Sequence, residues 1–345
     1  MGPRVCSHCH RQYQAADVRF CPVDGAPLGD ARDAGLDPHL GSLLADRYRL
    51  EQLIGLGAMG RVYRALDEAT NTKVAVKLLH ADLRDDHDAL SRFQRESQVV
   101  ARLSNPHVVR LLGTDPLDRS DSATRDVFQV MELLDGISLR SALSAGGGRL
   151  ERARAVDLLL QTCEAVGAAH RHGIVHRDLK PENIMLTRCA AGEHVKVLDF
   201  GLARVTSPEA SFATRPGAVL GTARYLSPEG ALGNSVGPAA DVYALATVLF
   251  ECLTGVLPFQ ADQLVALLIK ITHEAPPDVR RVPAAADTPP ELAELVARNL
   301  QKSPEHRHRD ALELGAALSQ VVRQLGIGVN IEPHRTCSAA QAPSP

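Results

Sequence analysis

Apolar and polar residues alternate along the first third of this chain; from about residue 132 onward the apolar positions recur at helical spacing instead. In the first part, Arg61-Val62-Tyr63-Arg64-Ala65 and Lys73-Val74-Ala75-Val76-Lys77 flank a polar turn from Asp67 to Thr72, the pattern of a β-hairpin. Val127-Phe128-Gln129-Val130-Met131 reads as another strand. Leu90, Phe93, Val100 and Leu103 form one apolar stripe, which predicts a helix from Asp88 to Leu103. In the second part, helices are predicted from about Arg152 to His172, stopped by Gly173, and from Val242 to Thr254. Two short strands, Asn183 to Thr187 and Val195 to Asp199, are joined by a turn around Ala190 to Glu193. This shift of period predicts an α+β chain with a β-rich lobe at 47–134 and an α-rich lobe at 135–325. Asp135-Gly136 sits at their junction, and clefts between lobes are where ligands usually bind.

The two ends differ in texture from this long globular stretch. Residues 1–29 are rich in Cys and His, residues 30–46 read as a linker with Gly35, Pro38 and Gly41, and 326–345 read as a disordered polar tail. A formal charge of −3 over 345 residues gives no sign of a nucleic-acid or anionic-membrane partner. The most apolar run, Val242 to Phe250, stops at Glu251, so no membrane span is expected. The start lacks a secretion signal and has Cys6 where a myristoylation motif wants Ser or Thr. A soluble, cytoplasmic chain is the expectation. Seven cysteines, an odd number, argue for free thiols and a reducing compartment.

Gly55-Leu-Gly57-Ala-Met-Gly60 fits G-x-G-x-x-G, which is a weak signal by itself. A dinucleotide-binding fold would continue from the last glycine into a helix, whereas here a hairpin follows. A Walker loop is excluded because Arg61-Val62 replaces its Lys-Ser/Thr. The glycines therefore bend over phosphates from above, or simply make a flexible turn. Glu96 falls three residues after Phe93 and four before Val100, on the apolar face of its helix. A carboxylate placed there needs a cation, and Lys77 at the end of the preceding strand is the candidate; snorkelling to the helix edge is the alternative.

His176-Arg177-Asp178-Leu179-Lys180-Pro181-Glu182-Asn183 is followed, sixteen residues after Asn183, by Asp199-Phe200-Gly201. Together they hold a proton acceptor, a cation for phosphate oxygens and two oxygen ligands for Mg²⁺. In an antiparallel hairpin the first residue of one strand lies beside the last of the other, so Asn183 and Asp199 should be neighbours. Phosphoryl transfer needs this set and little covalent chemistry from the protein.

The ordered set of glycine loop, Val-Ala-Val-Lys77, Glu96, His-Arg-Asp, Asp-Phe-Gly and Ser227-Pro228-Glu229 resembles the signature of protein kinases. In detail it is most similar to the bacterial eukaryotic-like Ser/Thr kinases, through Gly-Ala-Met-Gly-Arg-Val-Tyr and Gly221-Thr222-Ala-Arg-Tyr-Leu-Ser-Pro-Glu. The resemblance covers about Tyr48 to Leu325 and implies the two-lobed kinase fold, ATP and Mg²⁺ as cofactors, and protein Ser/Thr hydroxyls as substrates. It further implies that Gly55, Gly57 and Gly60 cover the phosphates, that Val62 and Ala75 contact the nucleotide, and that Lys77, paired with Glu96, holds the α/β-phosphates. Met131 would be the gatekeeper, and Glu132 and Leu134 would offer backbone groups to adenine. Asp178 would accept the substrate proton, Lys180 would steady the γ-phosphate, and Asn183 with Asp199 would bind Mg²⁺. Glu229 should form a buried pair with Arg307, and Asp241 should cap its helix and brace the catalytic loop. Arg177 beside the base implies control by activation-loop phosphorylation, with Thr206, Ser207, Ser211 and Thr214 available and Thr214 best placed. Pro216 replaces the second threonine such kinases commonly phosphorylate.

Cys6-x-x-Cys9 and Cys21-Pro-Val-Asp24 look like two zinc-knuckle turns, with Asp24 where a regular site has Cys and with His8 or His10 as substitutes. A small zinc ribbon at 1–29 is expected, and its balanced charge favours a protein contact over nucleic acid. The pairs His170/His172 and His306/His308 are expected at helix ends or on the surface. The polar loop from Asp115 to Asp126 is expected to be surface disorder. The leading reading is an active Ser/Thr protein kinase. A pseudokinase scaffold that binds nucleotide and partners is the alternative from another class, and a small-molecule kinase is a third.

Overall fold

The computed structural model describes residues 37, 39–57, 60–80, 103–114, 127–189, 192–200 and 223–329, the single positions 83, 86, 90, 91, 93, 97, 101 and 221, and the backbone of three short strands at 4–6, 12–13 and 28–30. It divides into two compact units that change over between Leu134 and Asp135, with residues 103–109 belonging to the second. These are the β-rich and helical lobes that the periodicity predicts.

The first unit is built on a six-stranded antiparallel sheet. Its strands are β4 (Leu43–Leu44), β5 (Tyr48–Leu56), β6 (Gly60–Asp67), β7 (Thr72–Leu79), β8 (Leu111–Thr114) and β9 (Phe128–Glu132), in the order β4-β5-β6-β7-β9-β8. β6 buries every second residue from Tyr63 on, as a strand with one core face should, whereas β7 is buried along its whole second half. One face packs Tyr48, Leu50, Tyr63, Ala65, Val76 and Phe128 into the main core. A smaller cluster joins Leu79 and Val127 to Phe93 and Leu90 of the predicted helix, and the described positions 90, 91, 93, 97 and 101 are helical. Gly60 is required by this packing, because a Cβ there would stand 2.2 Å from the Leu78 carbonyl oxygen. The stretch read as a linker departs from expectation. Leu43–Leu44 pairs with β5, and Asp37 and His39 fold back onto β6. The reason is that Leu44 is an apolar residue with an open sheet edge beside it, and it is buried there.

The second unit carries β10 (Gly136–Ser138), α1 (Leu139–Ala145), α2 (Arg152–Arg171), β11 (Ile184–Cys189), β12 (Gly192–Val197), α3 (Pro228–Ala231), α4 (Pro238–Thr254), α5 (Leu264–His273), α6 (Pro290–Asn299) and α7 (Ala311–Leu325). α4 is apolar nearly all round and is buried from Ala240 to Thr254, which is the fate of such a helix. It ends where Gly255 takes φ +79°, the left-handed cap that glycine adopts without steric cost. α2 packs against α4, α7 and β12. The β11–β12 hairpin begins and ends one to three residues from the predicted bounds, because Pro181–Asn183 forms a 3₁₀ turn ahead of β11. The carboxylate of Asp241 does not cap α4. Gly237 holds that position, with Pro238 at the first turn.

Near the N-terminus, β1 (Arg4–Cys6), β2 (Gln12–Tyr13) and β3 (Leu28–Asp30) form a three-stranded antiparallel sheet in the order β2-β1-β3. Cys9, Cys21, Asp24, His8 and His10 lie outside the described residues, as do the Asp115 to Asp126 loop and the tail from residue 330. No described helix is long and apolar enough to cross a membrane. Cys163 and Cys252 are buried free thiols, and burial pushes Cys163 up to about 12. Cys189 is disulfide-bonded, contrary to the expectation from cysteine count, since pairing depends on proximity in space that spacing does not encode.

Glu229, at the start of α3, takes two parallel hydrogen bonds from Arg307, at 2.9 and 2.8 Å. The Arg307 side chain is 0% exposed and also donates to the carbonyls of Ala239, Gln301 and Lys302. Arg307→Met leaves a buried carboxylate unpaired and is expected to cost about 3–5 kcal/mol. Equilibrium urea unfolding of the variant beside the parent chain checks this.

Candidate active site

The site in the second unit starts from a buried carboxylate. Asp241, 1% exposed, accepts hydrogen bonds from the backbone N–H of His176 (2.7 Å) and Arg177 (2.9 Å) and from Nε2 of His170 (2.8 Å). His170 takes the Ala311 N–H on its other nitrogen, which fixes Nε2 as the donor. This histidine lies in the last turn of α2, as expected, and its side chain is a buried strut. Two backbone amides held by one carboxylate let Arg177 adopt φ +67°, a conformation unusual for a non-glycine residue. The next residue, Asp178, receives Lys180 Nζ at 2.9 Å and Asn183 Nδ2 at 3.1 Å on its Oδ2. Asn183 Nδ2 also donates to the Asp178 carbonyl.

His176 joins this loop to the strand that leads to Asp199. Its Nε2 donates to the Leu198 carbonyl at 2.9 Å, its Nδ1 accepts the Asp178 N–H, and its ring lies 4.8 Å from that of Phe200. The Leu198 N–H donates to the Asn183 carbonyl at 2.9 Å, so Asn183 and Asp199 are one register step apart, as the hairpin argument requires. Asp199 takes φ +45°, a second left-handed non-glycine residue in the same cluster.

Arg140 was not foreseen from the sequence. From α1 it donates to Glu182 of the loop that follows Asp178 (2.8 Å), to Glu251 of α4 (2.7 Å) and to the Tyr225 hydroxyl, which itself donates to Glu251 at 2.5 Å. One guanidinium thus ties three elements to the segment that leads into Ser227-Pro228-Glu229. Burial opposes its charge, yet Tyr225, Glu182 and Glu251 outweigh that and raise its pKa. The sequence offered no signal, because the partners lie 42, 85 and 111 residues away.

In the first unit, the Gly57 N–H closes onto the Gly60 carbonyl at 2.8 Å, and Nε2 of His80 donates to the Gly57 carbonyl at 3.1 Å. Val62 lies opposite Gly55 and beside Lys77 in the register, and Ala75 lies beside Met131. Lys77 is buried. The Glu132 N–H donates to the Arg110 carbonyl at 3.0 Å. Leu134 is half-buried, and Glu96 lies outside the described residues. Among the described residues no group of three or more His, Cys, Asp or Glu is arranged to hold a metal ion.

The protein kinase domain family matches residues 48–314. The chain belongs to the protein kinase family. It is 40% identical over 279 residues to serine/threonine-protein kinase PknB of Mycolicibacterium smegmatis, covering 81% of this chain and 43% of that one. Against serine/threonine-protein kinase PknA of Mycobacterium tuberculosis it is 37% identical over 286 residues, covering 83% and 64%. The chain thus spans less than two thirds of the length of either kinase. The crystal structure of the Mycobacterium tuberculosis PknI kinase domain superposes with a TM-score of 0.61 at 24% identity, covering 81% of this chain and 98% of that one, and shows the same fold.

Within this kinase domain the Arg140 hub carries a direct consequence. Arg140→Met strands Glu182 and Glu251 without their cation, and about 3–5 kcal/mol of stability should be lost. Arg140→Lys keeps the charge but not the fork and should recover only part of it. Thermal and urea unfolding of the three chains read the difference.

Proposed function

We propose that this chain transfers the γ-phosphoryl group of ATP to serine and threonine hydroxyls of proteins. The observation that carries the reading is the Asp178 carboxylate with Lys180 and Asn183 on it, in a loop whose backbone Asp241 holds. An ionised Asp178 is positioned to take the proton of an attacking hydroxyl. Lys180, 2.9 Å away, is a cation available to the γ-phosphate oxygens as charge develops on them. Asn183 turns its Nδ2 toward Asp178, which leaves its Oδ1 as an oxygen ligand, and Asp199 supplies a carboxylate. This is a donor set that suits Mg²⁺. Mg²⁺, when bound there, would neutralise phosphate charge.

In the first unit, Gly55, Gly57 and Gly60 give the phosphates a close backbone approach, and Lys77, with Glu96 as its partner, holds the α/β-phosphates. Val62, Ala75, Met131, Glu132 and Leu134 take the adenine. All the chemical parts are present, including Lys77, Asp178, Asn183 and Asp199, which speaks against the scaffold reading. Thr214 is the favoured site of autophosphorylation, with Arg177 as the cation that receives the phosphate. Residues 1–29 form a zinc-binding module through Cys6, Cys9, Cys21 and Asp24 that contacts a protein partner, and the chain works in the cytoplasm. The three-stranded sheet supports such a module, since Cys6 ends β1 and Cys9 lies between β1 and β2 in sequence.

Asp178→Asn should lower ADP release with a serine-containing peptide by about 10²–10⁴-fold. An equal rate in both chains would remove Asp178 from the chemistry. Phosphopeptide mapping of the parent chain after Mg·ATP should find Thr214 modified, and a bare 199–229 segment would contradict that assignment. Freshly purified protein, prepared without chelator, should carry one zinc per chain by elemental analysis; a metal-free result would end the zinc assignment.

A further inference from the structure

Asp37 lies eleven residues before Tyr48, where the kinase family match begins, yet it is anchored inside the fold. Its side chain is 6% exposed. Oδ2 accepts from Arg61 Nη1 at 3.0 Å and from the Tyr63 hydroxyl at 2.8 Å, and Oδ1 accepts the His39 N–H at 3.0 Å. The His39 ring stands edge-on to Tyr63 at 6.2 Å. Downstream, Gly41 and Ser42 exchange backbone hydrogen bonds with Leu50, which leads into the Leu43–Leu44 pairing with β5. The segment is thus fastened at both ends.

Strand alternation decides what this anchor can reach. Successive side chains of β6 point to opposite faces, so Arg61 and Tyr63 share one face and Val62 looks out from the other. Arg61 directly follows Gly60, whose carbonyl closes the Gly57 turn. A Cβ at Gly60 would stand 2.2 Å from the Leu78 carbonyl oxygen, so β6 and β7 approach closely at this point. Asp37 therefore grips the strand leaving the glycine turn from behind, on the side opposite the one proposed for nucleotide. Burial pushes its carboxyl up, but the His39 N–H, the Tyr63 hydroxyl and Arg61 outweigh this and hold it below the usual carboxylate range. The grip is a charged one at neutral pH.

We propose that Asp37 is a positioning residue, a latch through which the segment preceding the kinase domain sets the glycine turn and with it the affinity for ATP. This rests on the kinase reading above. A plain structural staple would be lost with stability alone, without selectivity for the nucleotide.

The test compares the full chain with Asp37→Ala, Asp37→Glu and Arg154→Ala; the last breaks the Arg154–Glu193 pair of the other unit. Asp37→Ala should raise the KM for ATP about 3–10-fold, the range one net hydrogen-bond contribution converts to, with kcat and peptide KM within about twofold. Asp37→Glu should recover most of the affinity, and Arg154→Ala should leave it unchanged. If Asp37→Ala does not fold, Asp37→Asn carries the same comparison. Parent-like ATP affinity in a folded Asp37→Ala chain, or an equal rise with Arg154→Ala, overturns the latch. Calorimetric binding of ATP reads the latch independently of turnover. A parent chain that binds ATP without transferring phosphate would count against the kinase reading alone.

Discussion

One buried carboxylate holds the backbone of the loop that carries Asp178. Asp241 takes three hydrogen bonds, two of them from successive backbone amides of the loop that carries Asp178. A buried acceptor with three charge-assisted partners is stable, and each donor it serves would otherwise be left unsatisfied at about 1–3 kcal/mol. The loop can therefore hold Arg177 in a left-handed conformation and still present Asp178, Lys180 and Asn183 together. The apolar helix α4 supplies the rigid support, since it is buried along nearly its whole length.

Charge is used in the same way twice more. Arg307 locks Glu229 beneath the Ser-Pro-Glu turn, and Arg140 gathers Glu182, Glu251 and Tyr225 around the segment before it. Replacing such pairs with apolar residues of similar volume is often neutral for stability, so stability alone does not account for their presence. What they fix is geometry. The backbone around Asp178 cannot shift without disturbing these ion pairs.

Much of this was legible in the sequence, and for definite reasons. Hairpins, the buried helix α4 and the closeness of Asn183 to Asp199 follow from period and register, which are local. The Glu229–Arg307 pair came from resemblance, because no local pattern joins residues 78 positions apart. Arg140, His176 and His80 act through contacts that spacing does not encode. His170 is at the helix end where the sequence put it, but its buried bond to Asp241 was not legible for the same reason. The segment around Asp37 was misread as a linker because its Gly and Pro content outweighed one carboxylate whose partners lie 24 and 26 residues on.

In this protein kinase domain Asp241 sets the backbone ahead of Asp178, and Asp37 holds Arg61 and Tyr63 of the strand that leaves the glycine turn. The most direct measurement is phosphoamino acid analysis after incubating the chain with γ-labelled Mg·ATP and a mixed protein substrate. Label in phosphoserine and phosphothreonine, with none in phosphotyrosine, is the result expected. Binding of ATP with no label in any hydroxyl amino acid, or label only in phosphotyrosine, would contradict it.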